Sequence, residues 1–329
     1  MGYGNYSHAA HQALAQGRAA LPTQQVFQQT ACHPLMNPKD VRARESRDSA
    51  DHPSSIGIVF ALDVTGSMGE IPEQLARQEL PRFMRVLMDC KVPDPQLLFM
   101  AVGDANSDTA PLQVGQFEST AELMDRWLTW SFLEGRGGGQ DHESYELALY
   151  FLAEHTDMDC WVKRRKRGYL FMTGDELPYP AVSRHQVEAL IGDRLDEDVP
   201  VAAAVAAVEE TFHPFFLIPD PKRRARCERP WRDLLGDHVV AMESPADTCF
   251  VAAGLVALTE RLVPDLDGVA GIVEAAGASR DRVGAVVRAL TPYAATLGAD
   301  AVPPHRAEAA PLPAEDGASL WQRIKRALE

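Results

Sequence analysis

The stretch SSIGIVFALDVTGSMGEIP, residues 54–72, joins an apolar run to three oxygen-bearing side chains at alternate positions, Asp63, Thr65 and Ser67. Alternate residues of an extended chain share a face, so the carboxylate and both hydroxyls can turn toward one point. Hard oxygen donors of this kind suit Mg²⁺ or Mn²⁺, which prefer octahedral oxygen shells and keep some of their water. Gly66 and Gly69 permit tight backbone paths around such a point. A plainer reading stands beside this one: Ser67 caps the following helix while Asp63 and Thr65 build a side-chain turn.

Further groups could contribute. GDANSD places Asp104 and Asp108 after the second strand, as outer groups around the same ion, as a second cation site, or as turn residues chosen for local hydrogen bonding. Two basic runs stand out, KRRKR (Lys163–Arg167) before a strand and KRRAR (Lys222–Arg226) after one. The first belongs at the sheet edge opposite Asp63. The second belongs on the same edge, as a solvated loop or as a steering charge for an acidic partner. HTDMDC (His155–Cys160) has no metal-ligand spacing, and His155 is expected to meet terminal carbonyls of its helix.

These residues need a scaffold. Apolar runs predict strands at Ile56–Leu62, Gln96–Val102, Leu112–Phe117, Gly168–Met172, Pro214–Ile218 and His238–Met242. Helices are predicted at Ser7–Ala20, Ile71–Asp89 with a kink at Pro81, Ala121–Phe132, Tyr145–His155, His185–Leu195 and Val201–Thr211. Ser244, Pro245 and Asp247 open a further helix, and helical pattern continues to about Leu297. The nine residues GDANSDTAP are too few for a crossover, so the flanking strands form a hairpin, and the other strands need right-handed crossovers. The expected architecture is therefore α/β, a mostly parallel six-stranded sheet with one antiparallel edge strand and helices on both faces.

By the same reading, residues 1–53 form an N-terminal arm that either wraps the next unit or stays mobile. Residues 54–245 form the α/β domain, and 246–299 a C-terminal helical extension. Residues 300–318 are a Pro/Ala/Gly-rich linker. Residues 319–329 form a short amphipathic helix with Leu320, Trp321, Ile324 and Leu328 on one face. That helix either docks back on its own domain or recruits a partner.

The 329 residues carry 32 Lys+Arg against 47 Asp+Glu, a formal charge of −15, which disfavours nucleic acid as a partner. Five scattered cysteines without a CxxC pair argue against a disulfide framework or zinc ribbon. With no signal-like N-terminus and no apolar stretch long enough to span a bilayer, the expectation is a cytoplasmic chain without membrane attachment.

DVTGSM resembles the DxSxS motif of von Willebrand factor type A (VWA) domains, the first loop of their metal-ion-dependent adhesion site, with Thr in place of the first Ser. The order of elements is similar to that Rossmann-like fold over roughly 54–245. The family's second loop resembles GRGGGQDHESYELAL, where Glu143 stands in place of the usual Thr, Gln140 matches the Asp of a GGGD variant, and Ser144 is the nearest hydroxyl. The third loop resembles GYLFMTGDELPYP, which supplies Asp175. The resemblance implies Thr65 and Ser67 bound directly to Mg²⁺ or Mn²⁺, and Asp63 and Asp175 acting largely through water. One coordination position would be left for a partner's Asp or Glu carboxylate. Glu143 would add charge, tightening cation binding and weakening capture of an acidic ligand.

The function expected is a binding module for metal-dependent protein–protein interaction. Bacterial intracellular relatives of this type imply an AAA+ ATPase partner of the MoxR or chelatase kind. The alternative is a Mg²⁺-dependent phosphoryl-transfer hydrolase with Asp63 as nucleophile. It is disfavoured because Thr65 stands where a DxDxT enzyme keeps its second Asp, and because no GxxxxGK[ST] loop occurs.

Overall fold

The computed structural model describes residues 4–66, 68, 70–135, 141–219 and 221–298. Ser67, Gln140, the expected linker at 300–318 and the expected helix at 319–329 lie outside the described residues.

A six-stranded sheet forms the centre: β1 (Ile56–Asp63), β2 (Pro95–Val102), β3 (Leu112–Val114), β4 (Gly168–Thr173), β5 (Phe212–Ile218) and β6 (Val239–Ala241). Their order across the sheet is β6-β5-β4-β1-β2-β3, and only β3 runs antiparallel. The central strands are buried along their whole length, as continuous Ile, Val, Leu and Phe runs require when both faces are covered.

Side chains alternate between two apolar layers. Ile58, Phe60 and Leu62 of β1 face one, and Val59 and Ala61 face the other. The first layer holds α2 (Leu80–Asp89), α3 (Ala121–Thr129), α8 (Thr248–Thr259), α9 (Leu266–Ala275) and α10 (Arg280–Thr296). The second holds α4 (Tyr145–Glu154), α5 (Arg184–Leu190), α6 (Val201–Thr211) and α7 (Pro221–Leu235). Residues of the N-terminal arm join the first layer through Val26, Phe27 and Met36. The arm's helix α1 (His8–Arg18) begins on a Ser7 cap and pairs Arg18 with Asp125. Its strand Arg44–Ser46 pairs in parallel with Thr156–Met158.

Several differences from the sequence reading have local causes. The helix before α2 passes through a widened π turn at Leu75–Glu79, because Pro81 cannot donate to a carbonyl one turn back. α3 stops at Thr129 and α5 at Leu190, both short of the predicted ends. β3 stops at Val114. Helix α7 was not anticipated at all. His155 reaches the Arg42 carbonyl at 3.2 Å and Asp193 at 2.7 Å rather than carbonyls of its own helix. Among the described residues, no helix is long and apolar enough to cross a membrane.

Candidate functional site

Strand register sets the site. Leu62 lies beside Thr173, and Asp63 beside Val102, so β1, β2 and β4 end together at one edge. From β1 the chain crosses to β2 on one side, and from β4 to β5 on the other. The gap between β1 and β4 is thus the sheet's topological switch point, where open α/β sheets leave a crevice for ligands. Asp63 closes β1 on one flank of that gap, and Asp175 follows β4 on the other.

The Asp63 side chain is fully buried. Its Oδ1 accepts the Thr65 amide at 2.9 Å and the Thr65 hydroxyl at 2.5 Å. That is the side-chain turn of the plainer reading, and it keeps the Thr65 oxygen against the Asp63 carboxylate. Its Oδ2 accepts the Tyr145 hydroxyl at 2.6 Å. Tyr145 opens α4 and packs edge-on against Phe216 and Trp231, each 5.5 Å away. Room for its hydroxyl exists because residue 174 is glycine: a Cβ there would lie 2.1 Å from that oxygen. Gly66 is similarly constrained, since a Cβ there would come within 3.2 Å of the Gly135 carbonyl oxygen.

A second tie crosses the crevice. His142–Glu143 pairs in parallel with Leu177–Pro178, which holds the Glu143 loop against the turn after β4. Glu143 is buried, and its Oε2 has no hydrogen-bond partner among the described residues. Asp175 and Glu176 are buried too. The Arg223 guanidinium stands 3.4 Å from Asp175 and 3.3 Å from Glu176, and Arg226 lies 3.3 Å from Glu176 and pairs with Asp141.

Crowded carboxyls in a dry place hold their protons. Burial pushes Asp63 up to about 6, against the pull of its Thr65 and Tyr145 hydrogen bonds and with a further push from Asp175. Burial and then the charges of Asp63, Asp104, Asp108 and Glu176 push Glu143 up to about 9. Glu176 rises to about 7, mainly through burial and Asp175, with Arg223 opposing.

Asp63, Thr65, Glu143 and Asp175 of the predicted set therefore meet around one crevice. Asp104 and Ser144 are engaged within neighbouring loops. Asp104 Oδ1 accepts the Asn106 amide and the Tyr179 hydroxyl, both at 3.0 Å, and the Ser144 hydroxyl accepts the Ala105 amide at 2.9 Å. Asp108 accepts the Asp104 amide at 2.8 Å, as a turn residue would. Among the described residues, no three His, Cys, Asp or Glu side chains form a ready-made metal cage. The donor set fits a hard cation through mixed carboxylate and hydroxyl oxygens. The orphaned buried Glu143 oxygen and the mutually raised carboxyls are what a bound divalent ion would relieve.

Tyr145, Glu176, Arg223 and Arg226 were not among the predicted site residues. Tyr145 carried a weak signal, a tyrosine two residues past Glu143 at the head of an apolar helix. Arg223 and Arg226 belong to KRRAR, which the sequence places on this edge as a solvated loop or a steering charge. A cavity of about 220 Å³ adjoins the crevice, walled by Met68, Ile71, Pro219 and Pro221, with Asp175 and Arg223 in its lining.

No family model and no curated protein matches the chain. Solved structures similar to it include the pilus adhesin SpaC of Lactobacillus rhamnosus GG in its open conformation. That match has 9% identity and a TM-score of 0.42, covering 69% of this chain and 31% of the other. Proximal thread matrix protein 1 of the mussel byssus matches with 10% identity and a TM-score of 0.39, over 65% of this chain and 48% of that one. A von Willebrand factor type A protein from Catenulispora acidiphila matches with 13% identity and a TM-score of 0.35, over 62% and 42%. The chain thus spans about a third to a half of the length of these proteins.

Proposed function

We propose that this chain is a binding module that holds Mg²⁺ or Mn²⁺ at the β1–β4 crevice and uses it to engage a carboxylate on a protein ligand. The residues that would hold the ion are Thr65 and Ser67 through their hydroxyls, with Asp63, Glu143 and Asp175 as the surrounding carboxylates. When bound, the ion supplies a Lewis-acidic position for an incoming Asp or Glu. The chain's own residues do the rest. Thr65 and Tyr145 fix both oxygens of Asp63, and the small ladder at Glu143 and Pro178 holds the opposing loop. The reading rests chiefly on one observation: a fully buried Asp63 carboxylate, clamped on both oxygens, at the switch point of the sheet.

The protein ligand belongs to the same proposal. An AAA+ ATPase of the MoxR or chelatase kind is the class that the resemblance of the DVTGSM loop implies. A carboxylate so enclosed and so fully hydrogen-bonded is poorly placed for in-line attack, which favours binding over phosphoryl transfer.

Thermal melting of the full chain tests the cation. A ligand at one hundred times its Kd adds about 2.7 kcal/mol to stability. Mg²⁺ or Mn²⁺ is therefore expected to raise the wild-type Tm, EDTA to reverse the gain, and Asp63→Ala to abolish it. Identical wild-type curves with and without metal would refute the proposal.

A further inference from the structure

We infer that Arg223 is a built-in counter-ion of the crevice, which a divalent cation must displace from Asp175 in order to bind; this rests on the cation reading above. Three observations carry it. First, one terminal nitrogen of Arg223, Nη1, stands between two buried carboxylates, 3.4 Å from Asp175 and 3.3 Å from Glu176. Second, Arg226 comes from the same helical turn of α7 and engages Glu176 and Asp141, so the turn faces the crevice with two guanidinium groups. Third, Arg223 also lines the 220 Å³ cavity with Met68, Ile71, Pro219 and Pro221, which gives the side chain space to move into when it leaves Asp175.

The physical logic is competition for one charge. Asp175 and Glu176 are buried at the crevice, and uncompensated buried carboxylates are costly. In the cation-free protein, Arg223 supplies part of the compensation at Asp175, and with Arg226 at Glu176. A divalent ion near Asp175 makes that guanidinium redundant and repels it. The arginine is then free to point outward from a flank of the occupied site, where a partner's acidic side chain would arrive. Arginine suits this exchange because it is always charged and its other nitrogens can donate elsewhere. Arg223 is in this view a specificity-setting residue, since it lowers cation affinity until the ion or the partner outcompetes it.

The experiment is Mn²⁺ titration of the full chain, read by calorimetry and by the electron paramagnetic resonance signal of free Mn²⁺. Wild type is compared with Arg223→Gln, Arg223→Lys and Asp63→Ala. Arg223→Gln is expected to bind Mn²⁺ about tenfold more tightly or better, the scale of one charge–charge contact at a partly buried carboxylate. Arg223→Lys keeps the charge and guards against a folding defect, and it is expected to stay within about threefold of wild type. Hydrogen exchange across residues 221–226 of the wild type is expected to speed up on adding Mn²⁺, a change that a merely structural tether would not show. Wild-type binding that is unchanged or weakened in Arg223→Gln would overturn the inference and leave the cation reading standing. Absence of Mn²⁺ binding in both wild type and Arg223→Gln would overturn both.

Discussion

Replacing Tyr145 by Phe removes one oxygen and leaves the ring. The ring's contacts with Phe216 and Trp231 should survive, so the measured loss reports the 2.6 Å bond to Asp63. A hydrogen bond to a charged acceptor contributes about 1.5–3 kcal/mol, and more is at stake when the acceptor is left buried and bare. The sign of the pH effect follows from Asp63, which burial raises from the ordinary 3.8 to about 6. A raised carboxyl favours the folded state while protonated, and that advantage is lost as pH rises through about 6. The Tyr145 hydroxyl reduces the loss by stabilising the ionised form. Because the ionised form loses more than the neutral form when the hydroxyl is removed, Asp63 in the variant would titrate higher still than in the wild type. Urea unfolding in EDTA is the assay. Tyr145→Phe is expected to cost about 2–3 kcal/mol at pH 8 and about 1 kcal/mol at pH 5, where Asp63 is protonated in both proteins and only a neutral hydrogen bond is missing. A cost below about 0.5 kcal/mol at pH 8, or one equal at both pH values, would refute the assigned clamp.

Two other perturbations follow from the geometry. Gly174→Ala puts a methyl 2.1 Å from the Tyr145 oxygen and 2.6 Å from its Cζ; it should cost about 3 kcal/mol or more in urea unfolding. Adding Tyr145→Phe should not rescue it, because the ring carbon still clashes, and a rescue would mean that the hydroxyl alone sets the fit. His155 is raised: burial pulls its pKa down, but the hydrogen bond and charge of Asp193 outweigh that, while Asp193 is lowered by the same contact. The pair's stabilisation is therefore present above the ordinary Asp range and below pH 6.5, and fades as pH climbs through the raised His155 value. Asp193→Asn should cost about 1 kcal/mol at pH 6, discounted for the partial exposure of Asp193, and much less at pH 9. An equal cost at both would show that the imidazole charge plays no part.

The strands were the most legible part of the chain. Ile56–Leu62, Gly168–Met172 and Pro214–Ile218 are short, continuous apolar runs that end in turn residues, and parallel strands covered on both faces demand that pattern. The hairpin to β3 followed from loop length alone. Helix α7 was hidden because PKRRARCERPWRDLL carries Pro221 and Pro230 and a surplus of charge. Its inward stripe is only Cys227, Trp231 and Leu235, four residues apart. Pro221 costs nothing at the first helical turn, and the turn before Pro230 tolerates the missing donor at an exposed face. Within the site, Asp63, Thr65 and Asp175 could be found by position at strand ends. The partners of these residues could not. Tyr145 reads as a core aromatic until Gly174 is seen to make room for its oxygen, and Arg223 reads as surface charge until α7 is laid beside the β4 turn.

That difference bears on how the crevice is balanced. On the β4 side, Arg223 and Arg226 face Asp175 and Glu176, so positive charge from the chain itself covers part of the acid. On the Glu143 side the charges that weigh most are all carboxylates, from Asp63, Asp104, Asp108 and Glu176, and burial first, then these charges, drive Glu143 up to about 9. At neutral pH that side limits its negative charge by keeping a proton on Glu143, whose Oε2 has no hydrogen-bond partner among the described residues. A proton is a poor substitute for a cation here, because it neutralises one carboxyl and leaves Asp63 and its neighbours repelling one another. A divalent ion would ionise Glu143, release that proton and satisfy the bare oxygen in one step. The asymmetry between the two flanks thus sets two conditions on an incoming ion: it would supply the charge that the Glu143–Asp63 side lacks, and it would compete with the arginine that already serves Asp175 on the other.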